Sequence, residues 1–184
     1  MNVFFNSVEA WDFSVLDFIQ AHMRCPFLDF IMPYITHLGA GGILWIILTV
    51  IFLLTRKYRK AGINCAAALL LSLIVVNFAV KPLAARIRPY DINPLIQLLI
   101  DAPNDFSFPS GHTSAAIGAA VSMLMQRKLL PGFPMLAAAA LIAFSRLYLY
   151  VHFPTDVICG ALLGVCFAAG GFFISKAAAQ KFSL

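Results

Sequence analysis

Charge is scarce in this sequence. Only 11% of its 184 residues are Asp, Glu, Lys or Arg, against about 25% in an average soluble protein. Apolar residues fill the gap at 61%, and the mean hydropathy is +0.88. A soluble domain of this length has too little interior to hide so much apolar surface. Metal-type cysteine spacing is missing too: Cys25, Cys65, Cys159 and Cys166 form no C-x-x-C pair and no Cys/His alternation. They are read as packing residues, which argues against redox chemistry. The first 23 residues hold no Lys or Arg, so no cleavable signal peptide is expected. Lipidation motifs are absent as well. The net charge of +5 does not argue for nucleic acid, because the positive residues sit in small groups at the ends of apolar runs.

What is present is a series of long apolar segments, roughly 27–54, 62–82, 110–126, 132–150 and 154–175. Each is near the ~20 residues that cross a bilayer. The first is interrupted by Pro33, His37 and the Gly39-Ala40-Gly41-Gly42 run. The third is short and rich in Ala, Gly and Ser, which suits close helix packing. Residues 8–23 carry apolar side chains near helical spacing. They predict an amphipathic helix, either in the membrane interface or against the protein's own edge. With no repeat and no linker, the expected architecture is all-α: one membrane helical bundle over 1–184, with about five spans plus this N-terminal helix.

Charge placement predicts topology. Eight positive residues (Arg56, Lys57, Arg59, Lys60, Arg127, Lys128, Lys176 and Lys181) fall on one side if all five segments cross. That side is expected to be cytoplasmic. All eight acidic residues fall on the other, with Arg24, Lys81, Arg86, Arg88 and Arg146.

Several polar residues far apart in sequence converge on that outer side. Lys81 and Arg88 flank the end of the second segment, Arg146 ends the fourth, and His112 and His152 begin the third and fifth. Such cations repel one another unless an anion sits among them. Phosphate fits, because Lys and Arg supply charge and directed donors to its oxygens. Ser110 is a good N-cap, and Gly111 leaves the first turn's N–H groups open to an anion. His152 and Asp156 are four residues apart, so a carboxylate can fix the imidazole tautomer and leave its other nitrogen nucleophilic.

Three motifs carry these residues in order: Lys81-x6-Arg88-Pro89, Pro109-Ser110-Gly111-His112, and Ser145-Arg146-x5-His152-x3-Asp156. Together they resemble the signature of the type 2 phosphatidic acid phosphatase superfamily, which also contains vanadium haloperoxidases. The signature covers residues 81–156, about two fifths of the chain. The resemblance implies His152 as the nucleophile that becomes phosphohistidine, with Asp156 orienting it. It implies His112 as the acid that protonates the leaving oxygen and later helps activate water. Lys81, Arg88, Arg146, Ser110 and Gly111 would cradle the phosphoryl group. No metal or other cofactor is expected.

The resulting expectation is an integral membrane lipid phosphatase or pyrophosphatase in a bacterial plasma membrane, with its site on the extracytoplasmic face. Candidate substrates are undecaprenyl pyrophosphate, phosphatidylglycerol phosphate and phosphatidic acid, and the position of the site leans towards the first. A phosphotransferase on the same scaffold, or a non-catalytic anion or lipid transporter, are the alternatives. The oligomeric state is left open. Other residues receive plainer readings. Arg86 is expected to snorkel, and His22 and His37 to pack or sit at the interface. Trp11 and Tyr148 or Tyr150 are expected to anchor the interface. Asp101 and Asp105 are placed on a loop near the entrance, outside the catalytic set.

Overall fold

The computed structural model describes residues 3–182, and among them every regular element is helical. In chain order these are α1 (Val3–His22), α2 (Pro26–Leu38), α3 (Ile43–Leu54), α4 (Arg59–Leu71), α5 (Lys81–Ala84), α6 (Pro89–Ile92), α7 (Gly111–Met125), α8 (Leu129–Tyr148) and α9 (Pro154–Phe182). A π-helical stretch, Ser72–Val80, joins α4 to α5, so Arg59–Ala84 runs on as one helical rod.

Three helical stretches are long and apolar enough to cross a membrane: Arg56–Ile92, Leu129–Tyr148 and Pro154–Lys181. The first apolar segment is not one rod. It breaks into α2 and α3 with a 43° bend, at the Gly-rich run that interrupts the sequence. Gly41 and Gly42 hold φ of 57° and 69° there, the left-handed region that glycine enters without penalty. The third expected span is α7, with only 15 residues and hence about 22 Å of helix. It lies in the middle of the bundle, packed on α4, α8 and α9.

Small residues make that packing close. A side chain on Gly164 would come within 2.7 Å of the Ser114 carbonyl oxygen, and one on Gly160 within 2.6 Å of that of Ser110. The backbones of α7 and α9 therefore touch directly, as small residues allow in membrane bundles. Ala116, Ala119, Ala120 and Met123 fill the core around Trp45 and Ile142. The outside is apolar: Ile47, Ile51, Phe78, Leu162 and Phe173 are all exposed, a surface suited to lipid and not to water.

The basic groups mark one end of this bundle. Lys57 and Lys128 approach the Tyr58 ring at 5.4 and 5.7 Å, bringing the α3–α4 and α7–α8 turns together. The starts of α7 and α9 and the last turn of α8 lie at the opposite end.

Helix α1 packs against α8 and α9, with Leu16 and Ile19 buried. Of the two placements expected for this helix, the structure shows packing against the protein's own edge, and its acidic face is partly turned inward: Asp12 is fully buried. Two interface expectations are overturned. Tyr148 and Tyr150 are buried, and their hydroxyls donate to Asp29 and Asp17 at 2.6 and 3.1 Å. Tyr150 has φ of 59°, an unfavourable conformation for a bulky residue, and these contacts hold it there. Trp11 is half exposed, as an anchor would be.

Candidate active site

Each motif residue reaches the site from a different element. Lys81 comes at the end of the π-helical stretch and Arg88 at the N-cap of α6. Ser110 caps α7, accepting from the Thr113 N–H at 3.4 Å and from its hydroxyl at 3.0 Å. Arg146 lies in the last turn of α8. His152 sits in the short loop before α9, whose first turn carries Asp156. The Ser110 N–H donates to the Asp156 carbonyl at 3.0 Å, tying the starts of α7 and α9 together.

His152 is buried with both ring nitrogens accounted for. Nδ1 lies 3.4 Å from Oδ2 of Asp156. Nε2 lies 3.3 Å from Nη1 of Arg88. A guanidinium offers donors only, so Nε2 must present its lone pair and Nδ1 must carry the proton. The charge state agrees. Burial first, then the Arg88, Arg146, Lys81 and His112 charges, push His152 well below the usual imidazole range, so the resting ring is neutral. Asp156 also accepts from the Ser107 hydroxyl and from the Phe153 N–H at 2.9 Å. Ser107 was missed in the sequence because it stands just ahead of the second motif.

The cradle is strongly cationic. Lys81, Arg88 and Arg146 are only 6%, 2% and 3% exposed, so water screens them little. Asp105 bridges two of them: Oδ1 meets Nη2 of Arg88 at 2.6 Å and Oδ2 pairs with Lys81. Burial alone would raise the Asp105 carboxyl, but Lys81 and Arg88 hold it down at about 2. Asp105, expected on a loop near the entrance and outside the catalytic set, lines the cavities there and is in addition a counter-ion of the cradle. Arg146 donates to the Thr36 hydroxyl at 2.6 Å, and its buried Nε has no partner among the described residues. Two of the three buried cations thus share one carboxylate and Arg146 pairs with none among the described residues, which leaves room for a further anion.

His112 lines two cavities. One, of about 440 Å³, also touches Arg88, Arg146, Lys81, Asp105 and Thr36. The other, of about 450 Å³, runs from His112 and Lys81 along apolar side chains of α3, α4 and the π-helical stretch, including Ile46, Leu69 and Leu73. Gly39 makes room for the imidazole, since a side chain there would meet Cδ2 of His112 at 2.9 Å. Gly111 faces Asn77, whose Oδ1 would lie 3.1 Å from an added Cβ. Among the described residues no group of three or more His, Cys, Asp or Glu side chains is placed to hold a metal ion.

Arg86 does not snorkel. It donates to Asp156 Oδ1 and to Asp12 Oδ2, each at 2.7 Å, and its guanidinium lies 3.9 Å from the centre of the Phe153 ring. His22 and His37 bond only to carbonyls of their own helices, Phe18 and Pro33, although His37 also borders the Arg146 cavity.

Known proteins are similar to this chain in sequence and fold. The PAP2 superfamily model matches residues 61–179. An undecaprenyl-diphosphatase of Sulfolobus acidocaldarius is 33% identical over 138 residues, covering 74% of this chain and 66% of that protein. Phosphatidylglycerophosphatase B of Bacillus subtilis is 33% identical over 172 residues, covering 86% and 79%. A crystal structure of a transmembrane PAP2-type phosphatidylglycerolphosphate phosphatase from Bacillus subtilis superposes with a TM-score of 0.72 at 28% identity, covering 96% of this chain and 88% of that one. The chain belongs to the PAP2 superfamily of membrane lipid phosphatases.

Proposed function

We propose that this chain removes phosphate from a lipid monophosphate or diphosphate through a phosphohistidine on His152, at the extracytoplasmic face of a bacterial plasma membrane. The observation that carries the reading is the buried His152, its Nε2 turned to Arg88 in a cradle of three buried cations, two of which share a single carboxylate.

In the first step Nε2 attacks phosphorus as the bond to the leaving oxygen breaks. His112 donates a proton to that oxygen. The ring gains positive charge, which Asp156 offsets across Nδ1. Lys81, Arg88 and Arg146 stabilise the charge on the equatorial oxygens, and positioning supplies most of the rest. In the second step His112 takes a proton from water, the water oxygen bonds to phosphorus, and the P–N bond breaks. The electron pair returns to Nε2 and inorganic phosphate leaves.

The lipid part of the proposal draws on the apolar cleft between α3 and α4, which starts beside His112 and Lys81. A headgroup in the cradle leaves its chain there. A polyprenyl diphosphate is the first substrate to try. Its relatives include an undecaprenyl-diphosphatase, and an outward site suits a carrier that is recycled on that side. The outward placement draws on the eight basic residues at the opposite end.

The test is phosphate release by the purified chain over a lipid panel of monophosphates and diphosphates, with EDTA present. Release is expected from at least one lipid and expected to vanish in His152→Ala. Turnover by that variant, or a strict need for an added divalent ion, would count against the proposal.

A further inference from the structure

Asp12 is a fully buried carboxylate that the steps above leave unused. It lies on α1, outside the residues matched by the family model, yet it reaches the catalytic pair. Its Oδ1 accepts the Thr155 N–H at 2.9 Å, and its Oδ2 accepts the Thr155 hydroxyl at 2.6 Å and Nη2 of Arg86 at 2.7 Å. Through Nη1 the same guanidinium grips Asp156 Oδ1, at 2.7 Å, and the Thr155 hydroxyl. We propose that Asp12 and Arg86 are positioning residues for the Asp156–His152 pair, so that α1 completes the catalytic centre. This rests on the reading that His152 is phosphorylated.

Geometry supplies the first argument. With Oδ1 of Asp156 clamped by Arg86, the plane of the carboxylate is set and Oδ2 is left to face Nδ1 of His152. A planar two-sided fork holds two carboxylates in a fixed mutual orientation, whereas a lysine ammonium is a point charge with rotating donors.

Charge supplies the second. The ring becomes cationic when Nε2 is phosphorylated, and it then needs a net negative neighbour. Arg86 alone would cancel Asp156. Asp12, on the other side of the guanidinium, restores one net negative charge to the set of three.

Anchoring of α1 does not by itself explain Asp12. The helix is already held by Leu16 and Ile19, by the Tyr150 hydroxyl on Asp17, and by Gln20 on the Tyr148 carbonyl. Burying ions is penalised, and well-packed apolar residues often do as well for stability.

The experiment compares Asp12→Asn, Arg86→Lys and Asp17→Asn in the full chain, purified in detergent. Phosphate release from a polyprenyl diphosphate, inhibition by vanadate and the thermal midpoint are measured for each. Asp12→Asn and Arg86→Lys should lower kcat about 10- to 100-fold, the scale seen when residues supporting a reactive group are removed. KM and vanadate inhibition should stay within about twofold, since the cradle is untouched. Asp17→Asn loosens the same helix and should lower the thermal midpoint while leaving kcat unchanged. Equal kcat losses in Asp12→Asn and Asp17→Asn, wild-type kcat in Asp12→Asn, or losses that follow the midpoint alone would overturn the inference. Should Asp12→Asn not fold, Arg86→Lys decides on the same readouts. Failure of the phosphatase reading looks different: the wild-type chain itself would release no phosphate.

Discussion

Oδ1 of Asp105 lies 2.6 Å from Nη2 of Arg88, while the other oxygen of the same carboxylate pairs with Lys81. Three cavities meet at this bridge, of about 450, 660 and 440 Å³, and each is lined by both Lys81 and Asp105. Asp105 therefore stands where the cradle's two cations converge and separates the apolar cleft from the polar side. It is half exposed, on a loop, and free to give way to a better anion.

Replacement of Asp105 by Asn should make vanadate bind tighter, since the anion no longer displaces a carboxylate. A partly exposed ion pair is worth little, so the expected gain is about two- to fivefold. The thermal midpoint should fall, because Lys81 and Arg88 lose their counter-ion. Titration of vanadate against phosphate release checks the first and thermal melting the second, and unchanged or weaker binding would show that Asp105 does not compete for the cradle.

His152 gives a dependence on pH. Burial, reinforced by Arg88, Arg146, Lys81 and His112, holds the folded ring well below its ordinary value, which is about 6.5 in an unfolded chain. Below that value the unfolded chain binds a proton that the folded chain refuses. Stability from this group is therefore present above about 6.5 and drops as pH falls from there towards the folded value. Ring nitrogen shifts of labelled histidine should show His152 still neutral, with the proton on Nδ1, where a free histidine is already protonated. The His152→Gln chain should lose less thermal stability than wild type between about pH 6.5 and 5. A ring that titrates near its ordinary value would contradict the placement.

Topology has a direct check. Asn104 and Lys60 are both exposed, at opposite ends of the bundle. Native Cys25 and Cys166 are also exposed, so the labelling is done after the cysteines are replaced. In intact cells an impermeant thiol reagent should modify Asn104→Cys and spare Lys60→Cys. The reverse pattern would put the site on the cytoplasmic side.

Much of this protein was legible in its sequence, and the limits have physical causes. The three motifs brought Lys81, Arg88, Ser110, Gly111, His112, Arg146, His152 and Asp156 to one end of the bundle, because each sits at a helix terminus that the apolar runs already mark. The Gly39–Gly42 break was visible as an interruption. The length of α7 was not: a helix buried by its neighbours need not span the bilayer alone, and its small residues report close packing instead. Arg86 and Asp12 escaped because their partnership joins residues 74 apart, with Thr155 a further contact across 143 positions. No local pattern announces such a pair. Tyr148 and Tyr150 look like interface residues by position, but Asp29 and Asp17, distant in sequence, take their hydroxyls into the fold. Asp105 lacks a motif of its own, and its role follows from how the loop folds back over Lys81 and Arg88.

The central claim is that phosphate passes through His152, and trapping the intermediate tests it most directly. The purified chain is mixed with a lipid diphosphate labelled on its terminal phosphate, quenched within the first turnovers, digested and mapped by mass spectrometry. Label that is acid-labile, base-stable and confined to the peptide holding His152 is the expected result, absent in His152→Ala. Hydrolysis at full rate with no label on His152, or label on another side chain, would contradict the account.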